Sequence, residues 1–207
     1  GPVVDISITS EVDYSGAMKE YRVQLTMNEN DYTKYLREIN HQKYESARQY
    51  LFRGITNPSD FSYTIKEGTT TIIELNSERS FESWQTTFIN TSNEGNNLKY
   101  EDLSLKIEYF IPDKYIDELS YSLTLPSAVI NSSADEPGNP KWNGKTTLSW
   151  KRNRDRDEVL KLSQNVNMPD IWAIYEKPAV STPGFGMLPT VMSILLIVIF
   201  TQRRMGR

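Results

Sequence analysis

Residues 185–200 form an uncharged apolar run, closed by Gln202, Arg203 and Arg204 and followed by Arg207. A helix of that length extends roughly 24 Å, a little short of a ~30 Å hydrocarbon core. Pro189 falls in its first turn, where a missing N–H costs least. A terminal segment that is apolar on every face and ends in arginines is expected to cross a membrane rather than to fill a core. Positive charge stays on the cytoplasmic side. The expectation is therefore a single-pass protein of the cell membrane, with its N-terminal part outside and a short cytoplasmic tail.

The entry to that run is Thr182-Pro183-Gly184-Phe185-Gly186. Together with the apolar helix and the basic end, it resembles the PGF-CTERM sorting signal of archaeal surface proteins. The resemblance implies recognition of Pro183, Gly184 and Phe185 by an archaeosortase, removal of the helix and attachment of a lipid. Pro189 inside the helix and the short linker 177–183 depart from the usual pattern, and an ordinary transmembrane anchor remains the alternative. The chain opens Gly1-Pro2-Val3, without Met or an apolar leader. A cleaved signal peptide or residues added at the terminus would each account for that.

The residues before the run suffice for one domain with its own core. Twelve Tyr and four Trp, with 38% hydrophobic residues, are more than a disordered chain carries. A net charge of −4 argues against a nucleic-acid binder. With no Cys, disulfides, thiolate metal sites and a Cys nucleophile are excluded. A single His leaves little for a histidine-based metal or catalytic site.

Alternation of apolar and polar residues over 4–8 and 21–27, around an Asp13-Tyr14-Ser15-Gly16 turn, predicts an opening β-hairpin. Three- and four-residue spacing of Tyr32, Tyr35, Leu36, Ile39 and Tyr50 predicts one amphipathic helix over about 31–52, capped by Asn30-Asp31 and ended near Gly54. Strands follow at 61–65 and 70–75. A second helix is expected from Ser80, with Phe81, Trp84, Thr87 and Phe88 on one side. Further strands are expected at 103–109, 119–125 and 147–150, with a polar loop over 127–143 and a short last strand near 159–162. The fold class expected is α+β: a mostly antiparallel sheet with two helices packed on it, followed by a C-terminal transmembrane helix. The organisation expected is an extracytoplasmic domain (1–165), a juxtamembrane linker (166–182) and an anchor or sorting segment (183–207). In the linker Ile171, Trp172, Ile174 and Tyr175 could sit at the membrane interface or pack back on the domain.

Three stretches carry a second resemblance. They are the opening strand and Gly turn (5–16), the strand ending in Leu125-Pro126 and followed by Val129-Ile130-Asn131, and the turn and strand from Asn143-Gly144 to Trp150. Over about 3–165 this pattern resembles the LppM-like domain family. The resemblance implies an α+β fold, an anchored extracytoplasmic location and, for the mycobacterial member, binding of cell-envelope glycolipid. No residue here matches a known ligand contact.

Chemistry-bearing motifs are sparse. His41 lies among polar helix residues and reads as a surface group. Asp155-Arg156-Asp157-Glu158 lacks the ligand spacing and Gly of a calcium loop, and its arginines neutralise it. No motif supports a Ser-His-Asp triad or a phosphate-cradling loop. Asn90-Thr91-Ser92 and Asn131-Ser132-Ser133 are N-x-Ser/Thr acceptor sequons, read here as loops, whereas Pro58 blocks Asn57. Trp84, Phe88, Tyr109 and Trp150 are candidates to line an apolar groove, with core filling as the alternative. The expectation is a non-enzymatic surface domain without cofactor or metal, binding an envelope lipid, glycolipid or partner protein. An envelope hydrolase would need convergent titratable groups in a pocket. A structural subunit of a membrane complex would use a small-residue helix face such as Gly186 and Ser193.

Overall fold

In the computed structural model the chain is described over residues 1–136, 144–154, 156–157, 162–163 and 166–179. The apolar run 185–200, the motif Pro183-Gly184-Phe185, and Asp155 and Glu158 lie outside those residues. Among the described residues no helix is long and apolar enough to cross a membrane.

The opening hairpin forms as its alternation predicts. Strand β1 (Val4–Val12) pairs antiparallel with β2 (Met18–Asn28), and alternate side chains of each are buried. Asp13 and Ser15 close the turn through the Asp13 carboxylate, and Gly16 supplies the positive φ of 86° that the turn requires. Asn28 caps helix α1 (Glu29–His41) by accepting from the Asp31 N–H at 2.8 Å, so the cap lies two residues earlier than Asn30-Asp31.

The single helix expected over 31–52 is two. Lys43 takes a left-handed φ of 66° and breaks the run after Gln42. Ser46 then starts α2 (Ala47–Leu51) by accepting from the Gln49 N–H at 3.1 Å. Helical spacing of the apolar residues continues across the break, so the pattern alone did not reveal it.

Strands β3 (Phe61–Lys66) and β4 (Thr70–Ser77) add a second hairpin to β2. The helix expected from Ser80 does not form. Only a short 3-10 turn (Ser83–Gln85) forms, and Thr86 and Thr87 are drawn towards the segment after α2. The Thr87 N–H donates to the Gly54 carbonyl at 3.0 Å and the Thr56 N–H to the Gln85 carbonyl at 2.8 Å. The chain then enters β5 (Ile89–Glu94) and β6 (Asn97–Asp102).

The strand expected at 103–109 is instead a tight coil. The Ser104 N–H donates to the Asp102 carboxylate at 2.8 Å, the Tyr109 N–H to the Ser104 carbonyl at 2.8 Å, and Glu108 adopts a φ of 52°. Its apolar alternation does not mark one buried face, since Leu105 and Tyr109 are buried while Ile107 is 50% exposed. Strands β7 (Ile116–Leu125) and β9 (Thr146–Asn153) form where alternation placed them. Between them β8 (Val129–Ser132) occupies part of the predicted polar loop. Strand β12 (Ile171–Glu176) comes from the stretch read as linker, after a minimal ribbon of β10 (Arg156–Asp157) and β11 (Leu162–Ser163).

Two sheets result. One has the order β3-β4-β2-β1-β7-β9, antiparallel except where β1 and β7 run parallel. The other has the order β5-β6-β12-β8 and is antiparallel throughout. Their inner faces and the two helices enclose one core, including Ile6, Val23, Leu25, Tyr100, Leu123 and Ala173. The architecture is thus α+β and mostly sheet, within a compact unit Gly1–Lys177; residues from Pro178 form a separate unit.

Candidate functional site

The largest departure from an apolar core lies where the two sheets face each other. Asp102, at the end of β6, is fully buried. Its Oδ2 accepts from the hydroxyl of Tyr21 on β2 at 2.6 Å and from that of Tyr121 on β7 at 2.7 Å. Its Oδ1 accepts the Ser104 N–H at 2.8 Å. The Tyr100 hydroxyl joins Tyr121 at 2.8 Å and Ser10 on β1 at 2.9 Å. Burial pushes the Asp102 carboxyl above its ordinary value, while the hydrogen bonds it accepts pull it back. Burial, then the Asp102 charge, raises the Tyr21, Tyr100 and Tyr121 phenols well above theirs. Each polar atom of this cluster meets a partner, so it acts as a clamp between the sheets. Phe88 packs on Tyr21 at 5.6 Å between ring centroids, on the core side of this cluster.

The four aromatics singled out from sequence are not brought together. Trp84 stands 72% exposed on the 3-10 turn. Phe88 and Tyr109 do meet, at 4.5 Å between ring centroids, but both are core residues. Trp150 is also buried, edge-on to Tyr121 at 5.4 Å. His41 is the exposed last residue of α1. Among the described residues no three acidic or His side chains are grouped to hold a metal.

The open polar surface is the outer face of the six-stranded sheet, which sequence reading did not single out. Register fixes its membership: Gln24, Ser7 and Ser120 align across β2, β1 and β7, and Lys151 continues the row on β9. Neighbouring rows add Thr9, Ser122 and Ser149, then Thr26, Asp5 and Glu118. These side chains are half-buried or exposed, opposite the apolar positions of the same strands. A cleft of about 340 Å³ lies in the middle of this face, lined by Asp5, Ser7, Gln24, Glu118, Ser120 and Lys151 among others. A second cleft of about 250 Å³ shares Asp5 and Thr26 with it and reaches Asn28 and Asp31. Beside them, Arg22 pairs with Glu74 at 2.8 Å. The alternation that predicted these strands also contained this face, because every second residue of a one-sided strand points to solvent. Only the strand order shows that the polar halves of β2, β1, β7 and β9 adjoin.

The outer face of the four-stranded sheet is different in character. Trp172 and Ile174 on β12 are half-buried there, Lys99 sits over the Trp172 ring at 5.7 Å, and Ile130 on β8 is 53% exposed. Asn90 and Asn131, read from sequence as loop residues, both lie on strands of this sheet and are exposed.

No family model matches the sequence, and no curated protein matches it. Among solved structures, the chain is similar to the NMR structure of the folded domain of Mycobacterium tuberculosis LppM. The TM-score is 0.45 at 8% sequence identity, covering 88% of this chain and 94% of that one.

Proposed function

We propose that this chain is a membrane-tethered, extracytoplasmic binding domain without enzymatic activity, whose outer six-stranded face takes the sugar headgroup of an envelope glycolipid. The observation that carries this reading is the 340 Å³ cleft and its lining. Hydroxyls of Ser7 and Ser120, the amide of Gln24, the carboxylate of Glu118 and the ammonium of Lys151 offer donors and acceptors in one concavity. A ligand rich in hydroxyl groups, each both donor and acceptor, matches such a set. Asp102, Tyr21, Tyr100 and Tyr121, by contrast, are bonded to one another inside the core and serve the fold.

The tether is read from the sequence. The apolar run 185–200 with Arg203, Arg204 and Arg207 supports an outside position for the domain. The motif Pro183-Gly184-Phe185 supports recognition by an archaeosortase, which would replace the helix by a lipid. In both forms the domain works beside the outer leaflet, where a glycolipid headgroup is within reach.

The test is binding of the full chain to vesicles of a neutral phospholipid with and without envelope glycolipid, alongside the free headgroup oligosaccharide. Gln24→Ala combined with Ser120→Leu leaves the core untouched and is expected to weaken binding about tenfold, the loss of roughly 1.4 kcal/mol. Equal binding by the variant would refute the assignment of the face. Binding to a protein of the envelope but to neither sugar nor glycolipid would favour the partner-protein reading.

A further inference from the structure

We infer that Asn90 and Asn131 are N-glycosylated, and that their two glycans guard both edges of the four-stranded sheet and cover the apolar stripe between them. The inference does not depend on the ligand proposed above.

Position carries the argument. The four-stranded sheet has two edges, β5 and β8, and each edge strand carries one of the two sequons, Asn90 on β5 and Asn131 on β8. Asn90 pairs with Glu101, which pairs with Trp172, and Asn131 pairs with Ile174. Directly paired residues share a face. Trp172 and Ile174 alternate with the inward Ile171, Ala173 and Tyr175, so both asparagines point outwards on the same face. Three strand spacings and a two-residue offset along the strands separate them, about 16 Å. Between them lie Lys99, Glu101, Trp172 and Ile174, with Ile130 beside Asn131. Open strand edges and a partly apolar face invite edge-to-edge pairing, and bulky polar groups at both edges block it.

The modification needs a lipid-phosphate- or lipid-pyrophosphate-linked oligosaccharide as donor. The asparagine amide nitrogen bonds to the anomeric carbon, the bond from that carbon to the phosphate oxygen breaks, the lipid phosphate leaves, and a transferase base takes the amide proton. The two acceptors differ in access. In the first sequon Ser92 is exposed beside Asn90 on the outer face. In the second, the Ser133 hydroxyl donates to the Asp170 carbonyl at 2.7 Å and accepts the Trp172 N–H at 3.0 Å. A transferase must engage that hydroxyl, so Asn131 is modified before β8 docks on β12, whereas Asn90 stays available in the folded protein.

The experiment is glycopeptide mass spectrometry of the full chain purified from the membranes of its own cells. Sugar on both Asn90 and Asn131 is expected, and an unmodified asparagine at either position overturns the inference. Asn90→Gln with Asn131→Gln, made in the same cells, tests the shielding. Trp172 is expected to take up hydroxyl-radical label several-fold faster in the variant, which also self-associates in light scattering. Unchanged labelling and a monomeric variant would overturn the role given to the glycans. Ser92→Ala keeps both asparagines and should abolish sugar at Asn90 alone; sugar retained there would also count against the assignment.

Discussion

Asp102→Ala removes the acceptor at the centre of the inter-sheet cluster, and its cost can be worked through atom by atom. Three donors lose their carboxylate: the Tyr21 and Tyr121 hydroxyls and the Ser104 N–H. A buried donor left unsatisfied costs about 1–3 kcal/mol. Tyr121 retains Tyr100 at 2.8 Å, and Tyr21 retains a long contact to the Ser104 hydroxyl at 3.4 Å. Ser104 N–H retains nothing equivalent. Relief of the buried carboxylate's desolvation offsets part of the loss, which leaves a net destabilisation of about 2–4 kcal/mol. Asp102→Asn is milder, about 1 kcal/mol, because its carbonyl still serves Ser104 and its amide meets hydroxyls that can turn to accept.

The two variants separate by pH as well. Burial raises the folded-state value of Asp102 above the ordinary 3.8. Between those two values the folded state holds a proton that the unfolded state has lost. This contribution to stability is therefore fully present below 3.8 and is lost as pH rises through the raised value. Asp102→Asn lacks it. Urea unfolding of both proteins at pH 7 and at pH 4 should show the wild type gaining on the Asn variant as pH falls. An Asp102→Ala cost below about 0.5 kcal/mol, the range of ordinary surface changes, would refute the clamp. So would a wild-type advantage over Asn that stays flat or shrinks on acidification.

Gly54→Ala would drive a Cβ against the Thr87 Oγ1 and to 2.7 Å from the Tyr109 ring, so a loss of about 1–3 kcal/mol is expected in thermal unfolding. Arg53 lies over the rings of Tyr50 at 3.8 Å and Tyr109 at 4.2 Å and donates to the Tyr50 carbonyl at 2.6 Å. Arg53→Ala should therefore cost about 2 kcal/mol, with Arg53→Lys recovering only part of it. Burial holds the Tyr21, Tyr35, Tyr100 and Tyr121 phenols well above the ordinary 10.0. Their contribution is present below pH 10 and lost as pH rises through the raised values, so absorbance titration should leave them silent until the fold opens; early, reversible ionisation of all tyrosines would contradict their burial. An intact mass of the membrane-extracted protein ending near Pro183 with added lipid is expected from sortase processing, and a C-terminus intact through Arg207 would exclude it.

The legible part of the fold was the one-sided strands. In β1, β2, β7 and β9 one face is core and the other is solvent, so period-two alternation carries through to structure. Structure departs from local pattern where tertiary contacts override it. Residues 103–109 alternate like a strand but coil around the Asp102 carboxylate, and residues 80–88 carry a helical spacing that backbone bonds to Gly54 and Thr56 displace. Strand β5 has a buried Ile89 followed by exposed residues, so its sequence lacks the alternation that marks a strand. The candidate face was present in the polar half of each alternation, but its assembly depends on β1 lying beside β7, a parallel pairing between distant segments that no local signal encodes. Asp102 likewise reads as an ordinary polar residue until the two sheets close over it.

The outer-face assignment is tested most directly by chemical-shift mapping of the full chain in lipid nanodiscs as envelope headgroup oligosaccharide is added. Saturable shifts gathered on Ser7, Gln24, Ser120 and Lys151 are the predicted result. Shifts confined to Lys99, Trp172 and Ile174, or no saturable shift at all, would contradict it.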